Sequence, residues 1–486
     1  MKSRFVLIAL LATAPCLVQA QVTQSELRQR RDSLLARTGD GIVLALGSPE
    51  PAEDYFSFFQ NSSFLYLTGL REPEAALVMV RRGDERTTTV FVQPRNPAEE
   101  VWTGSRIGTE GVGGSMGVRG RDYAELPRVM DSLLSLALPL QVIGDYSSRS
   151  RPFLSADDQL VRALLAKHAD ISVKSANAVV NDLRRRKSPA ELDLLRKAIA
   201  ITLDAQRDAM RLIEPGMNEF EVQALIEYTF RRYGADRPGF ATIVGSGPNS
   251  TTLHYNADDR FMTAGELVVM DIGASYRGYS ADVTRTVPVS GTFTAEQRAI
   301  YQLVRDAQAA AEAAAKPGTA RQAQAAAASR VLAEGLAKLE LIESPAATYE
   351  CGDGERRCSQ LSLYWMHGLG HDIGLDVHDP ISGSVTVGSA FTIEPGVYVR
   401  ANTLEIIPDT PANRSLREKI GATVERYRNI GVRIEDDYIV TEQGLEWVSR
   451  APREISEIEA LMKGPFTGPT PRDPTKVEWY RGTGRE

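Results

Sequence analysis

Histidine is scarce in this chain, with five in 486 residues, and cysteine is scarcer, with three. So few cysteines exclude a disulfide-dense scaffold and a Cys-rich zinc module. Long apolar runs are scarce as well. Only residues 5–18 (FVLIALLATAPCLV) form a long uncharged run that is apolar almost throughout, and it is short for a membrane span. A basic excess is missing: 56 Lys and Arg face 63 Asp and Glu, for a formal charge of −7. That balance excludes the electrostatic footprint expected for nucleic acid or an anionic membrane surface. Repeats at solenoid periods are absent too.

The one apolar run follows the basic start MKSR and ends at Val18-Gln19-Ala20, small residues at the places a signal peptidase reads. The expectation is an exported protein, periplasmic or secreted, cut after Ala20; a membrane anchor is the competing reading. Removal of Lys2 and Arg4 makes the mature chain two charges more negative and takes Cys16 with it. Cys351 and Cys358 then remain, enclosing GDGERR. In an oxidising compartment such a pair reads as a disulfide. A zinc site there lacks two further ligands nearby.

Four divisions are expected: a signal peptide at 1–20, an N-terminal domain at 21–178, a second domain at 179–463 and a Pro-rich tail at 464–486. Residues 21 to about 175 mix apolar alternation with turns (IVLAL, FLYLTG, ALVMV, TTVFV), which suggests a mixed α/β domain with several strands. Ser188-Pro189-Ala190-Glu191 then offers a capping residue, a proline suited to the first helical position and a capping-box glutamate. Asn218 with Glu221 and Thr294 with Gln297 predict two more helix starts, and the alanine-rich stretch 319–338 a further helix. Pro465, Pro469, Pro471 and Pro474 predict an extended or poorly ordered tail.

ELVVMDIGASYRGYSADVTRTVPV reads as strand, turn, strand. With the turn centred on Tyr276-Arg277, Asp271 and Asp282 oppose each other directly. Like charges so placed are destabilising, so a proton or cations must hold them. AFTIEPGVYV puts Glu394 at a strand end, and NIGVRIEDDYIV puts Glu435 in a strand with Arg433 on the same face. Three of the five histidines (His367, His371 and His378) fall in HGLGHDIGLDVHD. Gly368, Gly370 and Gly374 argue against a helix there, at about 1 kcal/mol each relative to alanine. An oxygen-rich site with one imidazole suits Mn2+ above thiolate-loving ions. Four carboxylates balance two divalent cations, the arrangement used for amide or ester hydrolysis.

D-x10-D, HGLGHDIGLDVHD, IEPGVY and GVRIEDD, in that order, resemble the motif set of the pita-bread metallopeptidases, close to the Xaa-Pro aminopeptidases (aminopeptidase P) and the prolidases. TIVGSGPNSTTLHY (242–255), QNSSFLYLTGLREPEAALVMV (60–80) and APREISEIEALM (451–462) are similar to other segments of that family, so the resemblance covers nearly the whole mature chain. It implies an α+β protein: a pita-bread catalytic domain behind a mixed α/β, creatinase-like N-terminal domain. It also implies five metal ligands, Asp271, Asp282, His371, Glu394 and Glu435, with Asp282 and Glu435 bridging two ions. Glu394 is then the general base; His254, His367 and His378 bind substrate and help move protons or stabilise the tetrahedral intermediate; Arg433 orients Glu435 or neighbouring carboxylates; and Tyr398 lies near the proline end. The partners implied are peptides with proline second, and a homo-oligomer, dimer or tetramer.

Some features depart from the family pattern. Asp372 stands where relatives usually carry a large aromatic or apolar residue, which leaves the pocket's shape open there. Glu394 and Glu435 lie 41 positions apart, more as in prolidases, whereas DVTRTVPV leans towards aminopeptidases. Xaa-Pro aminopeptidase is the favoured activity and Xaa-Pro dipeptidase the alternative. A metal-free creatinase-like hydrolase or a binding-only pita-bread protein is expected to have lost ligands, and all five are present. The N-terminal domain and export disfavour a methionine aminopeptidase.

Overall fold

A computed structural model describes residues 22–53, 56–146, 153–352 and 356–481. The predicted signal peptide at 1–20 lies outside them. Among the described residues no helix is long and apolar enough to cross a membrane.

The N-terminal region is built on a six-stranded mixed sheet. Its order is Arg119–Asp122, Glu85–Val92, Ala76–Arg82, Gly41–Leu46, Leu140–Ile143, Val173–Ser175. Alternation along its strands splits the core in two. Ile42, Leu44 and Phe91 pack on Leu126, Met130 and Val161 of helices on one face. Val43, Ala45, Leu77 and Met79 face the other way and join the large core shared with the second domain. FLYLTG, expected as strand, is instead in the helix Ser62–Thr68. The Asn61 side chain accepts from the Ser63 and Phe64 N–H groups, and Gly69 closes the helix in a left-handed conformation. A short apolar run cannot declare its own period, so the caps decide.

The three predicted helix starts carry reciprocal capping boxes, opening Pro189–Leu212, Glu219–Arg232 and Ala295–Ala314. The alanine-rich segment forms Arg321–Lys338. These helices surround short antiparallel ladders. Leu267–Ile272 pairs with Ile243–Ser246 and Val283–Pro288, Ala390–Ile393 with Asp436–Thr441, and Gly396–Val399 with Ile430–Arg433.

The aspartate hairpin departs from its expected register. Its turn is Arg277-Gly278, both residues with positive φ, which suits a two-residue hairpin. Asp271 therefore pairs with Thr284, not Asp282. A two-residue shift preserves the face, so the two aspartates become diagonal neighbours rather than direct opposites. The ladder also breaks between them. Gln206, buried inside its helix, donates to the Met270 and Val283 carbonyls at 3.1 and 2.9 Å, and the Ala274 N–H donates to Thr202 Oγ1 at 2.9 Å.

The tail is more ordered than its prolines predict. Its described residues include the helix Pro474–Arg481, with proline tolerated at the helix start. Thr470 hydrogen-bonds Asp208, Lys476 pairs with Asp204, and Tyr276 Oη donates to the Trp479 carbonyl at 2.7 Å. Cys351 and Cys358 form a disulfide that joins the strands of the hairpin Thr348–Glu350/Arg357–Ser359.

Candidate metal centre

Two broken ribbons and one irregular loop build the centre. The ribbon carrying the glutamates keeps one register on both sides of its break, with Ile393 opposite Asp436 and Gly396 opposite Arg433. Glu394 therefore stands opposite Glu435. Glu435 lies between two strands, not inside one as its sequence suggests. At the break the backbone bonds elsewhere. The Glu394 N–H donates to the Leu369 carbonyl (2.8 Å) and the Glu435 N–H to the Thr284 carbonyl (3.1 Å). The glutamate ribbon is thereby stitched to the histidine loop and to the aspartate ribbon. Arg285, fully buried and paired with Asp436 at 2.6 Å, donates to the Glu435 carbonyl at 2.7 Å and reinforces the join.

The histidine segment is irregular, as its glycines require. A Cβ at Gly370 would stand 2.2 Å from the Thr392 carbonyl oxygen, so only glycine lets the loop lie against that strand. The Thr392 N–H then donates to the His371 carbonyl (2.8 Å), and the His371 N–H to Thr392 Oγ1 (3.2 Å).

The five expected ligands converge. His371 Nε2 lies 3.4 Å from Asp282 Oδ2, 3.5 Å from Glu394 Oε1 and 3.9 Å from Glu435 Oε1. Asp271 lines the same cavity of about 280 Å3, together with His254, His367, His378 and Arg433. Asp271 Oδ1, Asp282 Oδ1 and Glu435 Oε1 are buried without a hydrogen-bond partner. Buried acceptors left unpaired are costly. Three such oxygens beside a neutral imidazole fit divalent cations. Burial and the Glu435 charge push Asp282 well above the usual carboxylate range, and burial with Asp271 pushes Glu435 up to about 8. His371 is held down at about 4 by burial and by His378, so it offers a neutral nitrogen.

Arg433 spans the edge of this cluster. It donates to Asp271 Oδ2 (2.5 Å), Tyr398 Oη (2.9 Å), Thr284 Oγ1 (3.2 Å) and the Leu253 carbonyl (3.3 Å). It thus holds Asp271, whereas Glu435 Oε2 accepts from Thr284 Oγ1 at 2.7 Å. Tyr398 Oη sits 2.9 Å from His367 Nε2. Burial, then Arg433, lowers the His367 pKa to about 4. His254 and His378 also line a neighbouring cavity of about 240 Å3 walled by Phe240, Ile243 and Val377. Asp372 is outside both cavities. Its carboxylate turns into the protein, accepts from the Ser382 N–H at 2.9 Å and lies 3.8 Å from Arg321. The sequence reading missed Thr284 and Thr392, whose hydroxyls hold Glu435 and the His371 backbone; single threonines in strands carry no outward signal of such a role.

These shifts set a pH dependence for the chain stripped of metal. Glu435 binds its proton more tightly folded, at about 8, than at its ordinary value of 4.5. Its contribution to stability is full below the ordinary value and is lost as pH rises through about 8. Scanning calorimetry after chelation should show Tm falling between about pH 6.5 and 8.5, above the range in which the depressed His367 and His371 act in the opposite sense. Adding back Mn2+ should raise Tm most at the alkaline end, where cations replace the missing protons.

A family model for metallopeptidase family M24 matches residues 193–442, and one for the aminopeptidase P N-terminal domain matches residues 27–139. The Xaa-Pro aminopeptidase of Escherichia coli (strain K12) is 34% identical over 460 residues, covering 91% of this chain and 98% of its own length. Xaa-Pro aminopeptidase 1 of Streptomyces coelicolor is 30% identical over 467 residues, covering 90% and 87%. Among solved structures, zinc-substituted E. coli aminopeptidase P in complex with product matches with a TM-score of 0.76 at 31% identity, covering 91% of this chain and 99% of that one. Proline aminopeptidase P II from Yersinia pestis matches with a TM-score of 0.75 at the same identity and coverage. The architecture is theirs, an aminopeptidase P-type N-terminal domain ahead of a pita-bread catalytic domain, and the chain belongs to metallopeptidase family M24.

Proposed function

We infer that the chain is an Xaa-Pro aminopeptidase, a metallo-exopeptidase that hydrolyses the bond between an N-terminal residue and a following proline. The observation that carries this reading is the convergence of Asp282, Glu394, Glu435 and His371 around buried, unpartnered carboxylate oxygens. The likeness to Xaa-Pro aminopeptidases along nearly the whole chain supports the substrate class. Asp271, Asp282, His371, Glu394 and Glu435 are the proposed ligands; they would hold two divalent cations, with Asp282 and Glu435 the residues that would serve both, and the donor set favours Mn2+. When bound, such a pair supplies Lewis acidity that polarises the scissile carbonyl and acidifies water.

The chain's own groups then have separate tasks. Glu394 accepts the proton of the attacking water and delivers it to the departing proline nitrogen. In the metal-free chain, burial and the charge on Glu435 raise its pKa far above the ordinary value, so bound cations would be what keeps it ionised and able to take a proton. His367 is neutral and held by the Arg433–Tyr398–His367 chain of hydrogen bonds; in this reading Tyr398 lies near the proline end and His367 binds substrate beside it. His254 and His378, at the junction of the two cavities, bind the peptide and stabilise the developing oxyanion. A dedicated enzyme is needed because a prolyl amide has no N–H for an ordinary peptidase to grip.

We further propose that residues 1–20 are a signal peptide, that the chain divides near 178/179 and 463/464, and that it works as an exported homo-oligomer. The functional test is product analysis by mass spectrometry with the Mn2+-loaded chain on Gly-Pro, Ala-Pro-Ala and a longer Xaa-Pro-headed peptide. Release of only the first residue from the longer substrates is expected. Cleavage of the dipeptide alone makes the enzyme a dipeptidase, and cleavage of none overturns the assignment.

A further inference from the structure

His378 stands on irregular backbone. Residues 373–378 contain no helix or strand. Yet its ring is centred 4.0 Å from that of His371, and it lines both cavities. Part of the explanation is local. The Asp379 N–H donates to the Asp372 carbonyl (2.8 Å) and the Gly374 N–H to the Asp376 carbonyl (3.0 Å). The remainder comes from behind the loop. Asp376 and Asp379 line neither cavity and meet cations from the junction of the two domains. Arg184, near the end of the helix Asn177–Arg185, donates to Asp376 Oδ2 at 2.6 Å and to Asp379 Oδ1 at 2.5 Å. Lys187 Nζ lies 3.0 Å from Asp379 Oδ2, with both side chains 1% exposed. The N-terminal domain joins the same support. Arg184 also donates to Ser63 Oγ (3.2 Å), and Ser62 Oγ donates to Asp376 Oδ1 (2.6 Å).

Buried ion pairs add little to stability over apolar packing, because desolvation offsets their attraction. What charge-assisted hydrogen bonds add is direction. The site is tightly specified in that sense. A Cβ at Gly374 would stand 2.7 Å from Asp379 Cγ, so the Asp379 carboxylate occupies the space a side chain there would need. The Ser280 N–H also donates to the Gly374 carbonyl (2.8 Å), so the same turn abuts the strand leading to Asp282.

We propose that Arg184, assisted by Lys187, is a positioning residue for the reaction: from the domain junction it holds Asp379, and thereby sets the His378 imidazole in the cleft. This rests on the assignment of His378 to substrate and proton handling. It makes the seating of the N-terminal domain a determinant of turnover, since Ser62 and Ser63 belong to the same network.

The test is a double-mutant cycle on the full, Mn2+-loaded chain with Ala-Pro-Ala, using Arg184→Met, His378→Ala and the pair. Arg184→Met should lower kcat about 10- to 100-fold, the effect of misplacing a reacting group by roughly 1 Å. KM should stay within about threefold and bound metal should be unchanged. Arg184→Lys should recover part of the loss. In the His378→Ala background, Arg184→Met should cost less than about twofold, because the residue it positions is gone. Equal losses in both backgrounds, a loss that tracks missing metal, or no loss overturns the proposal. Should Arg184→Met fail to melt cooperatively, Arg184→Lys and Asp379→Asn are read by the same criterion. A wild-type chain that cleaves nothing overturns the functional reading and this one with it; a cleaving wild type with an additive cycle overturns this one alone.

Discussion

Glu394→Gln should lower kcat on Ala-Pro-Ala by about 10^3-fold, within the range that a positioned general base supplies. The amide keeps the length and one oxygen of the carboxylate, so the backbone bond from the Glu394 N–H to the Leu369 carbonyl survives. In the metal-free chain a neutral group here relieves repulsion, because the Glu435 and Asp271 charges both act to raise the Glu394 pKa, so the fold should be retained. KM should change by less than about threefold, because the loss falls on proton transfer rather than on ground-state binding. Loss of kcat with KM preserved marks a group acting in the transition state rather than in ground-state binding. Steady-state kinetics with metal content measured on the same sample checks it. A matched rise in KM with kcat intact would assign Glu394 to substrate binding instead.

Asp282→Ala should produce a different signature. Asp282 is the node of the cluster, 3.4 Å from His371 Nε2 and in the electrostatic field of Glu435, Asp271, Asp437 and Glu394. Its removal should cut bound metal from two ions per chain to one or fewer and lower kcat by at least about 10^3-fold, as loss of the Lewis acid implies. The stripped variant should nevertheless melt no lower than the stripped wild type at pH 8. One buried like charge is gone, and the backbone bond from the Asp282 N–H to Asp437 Oδ2 (3.1 Å) does not involve the deleted side chain. Activity lost while apo stability is kept or gained is the trade expected of a functional site. Metal analysis, kinetics and calorimetry on one preparation read all three.

Much of this molecule is written locally, and those parts are legible. A capping box is a reciprocal pair three residues apart, so Ser188 with Glu191 and Asn218 with Glu221 declare their helices without help from the rest of the fold. The carboxylate ladder is legible for the opposite reason. Acids inside apolar strands are expensive, and their cost announces a compensating ion. Most of the failures are tertiary, and one is a local cap misread. The aspartate register depends on which two residues take the turn, and Arg277 accepts a positive φ that its side chain does not advertise. FLYLTG has a strand's composition, but Asn61 and Gly69 cap it as a helix. Asp372 sits in the histidine motif yet turns its carboxylate towards Arg321 and Ser382, because the bridges to Asp379 and Phe391 fix its backbone. Arg184 lies almost two hundred positions from Asp379, too far apart for periodicity or spacing to link them.

The central claim is that five convergent side chains hold two divalent cations, without which the prolyl bond is not hydrolysed. The most direct test is to strip the chain with a chelator, titrate Mn2+ back, and follow both bound metal and release of alanine from Ala-Pro-Ala. The account predicts silence in the stripped chain and cleavage that returns as Mn2+ binds, with occupancy reaching two ions per chain. Full cleavage by the stripped chain, or saturated metal with no cleavage, would contradict it.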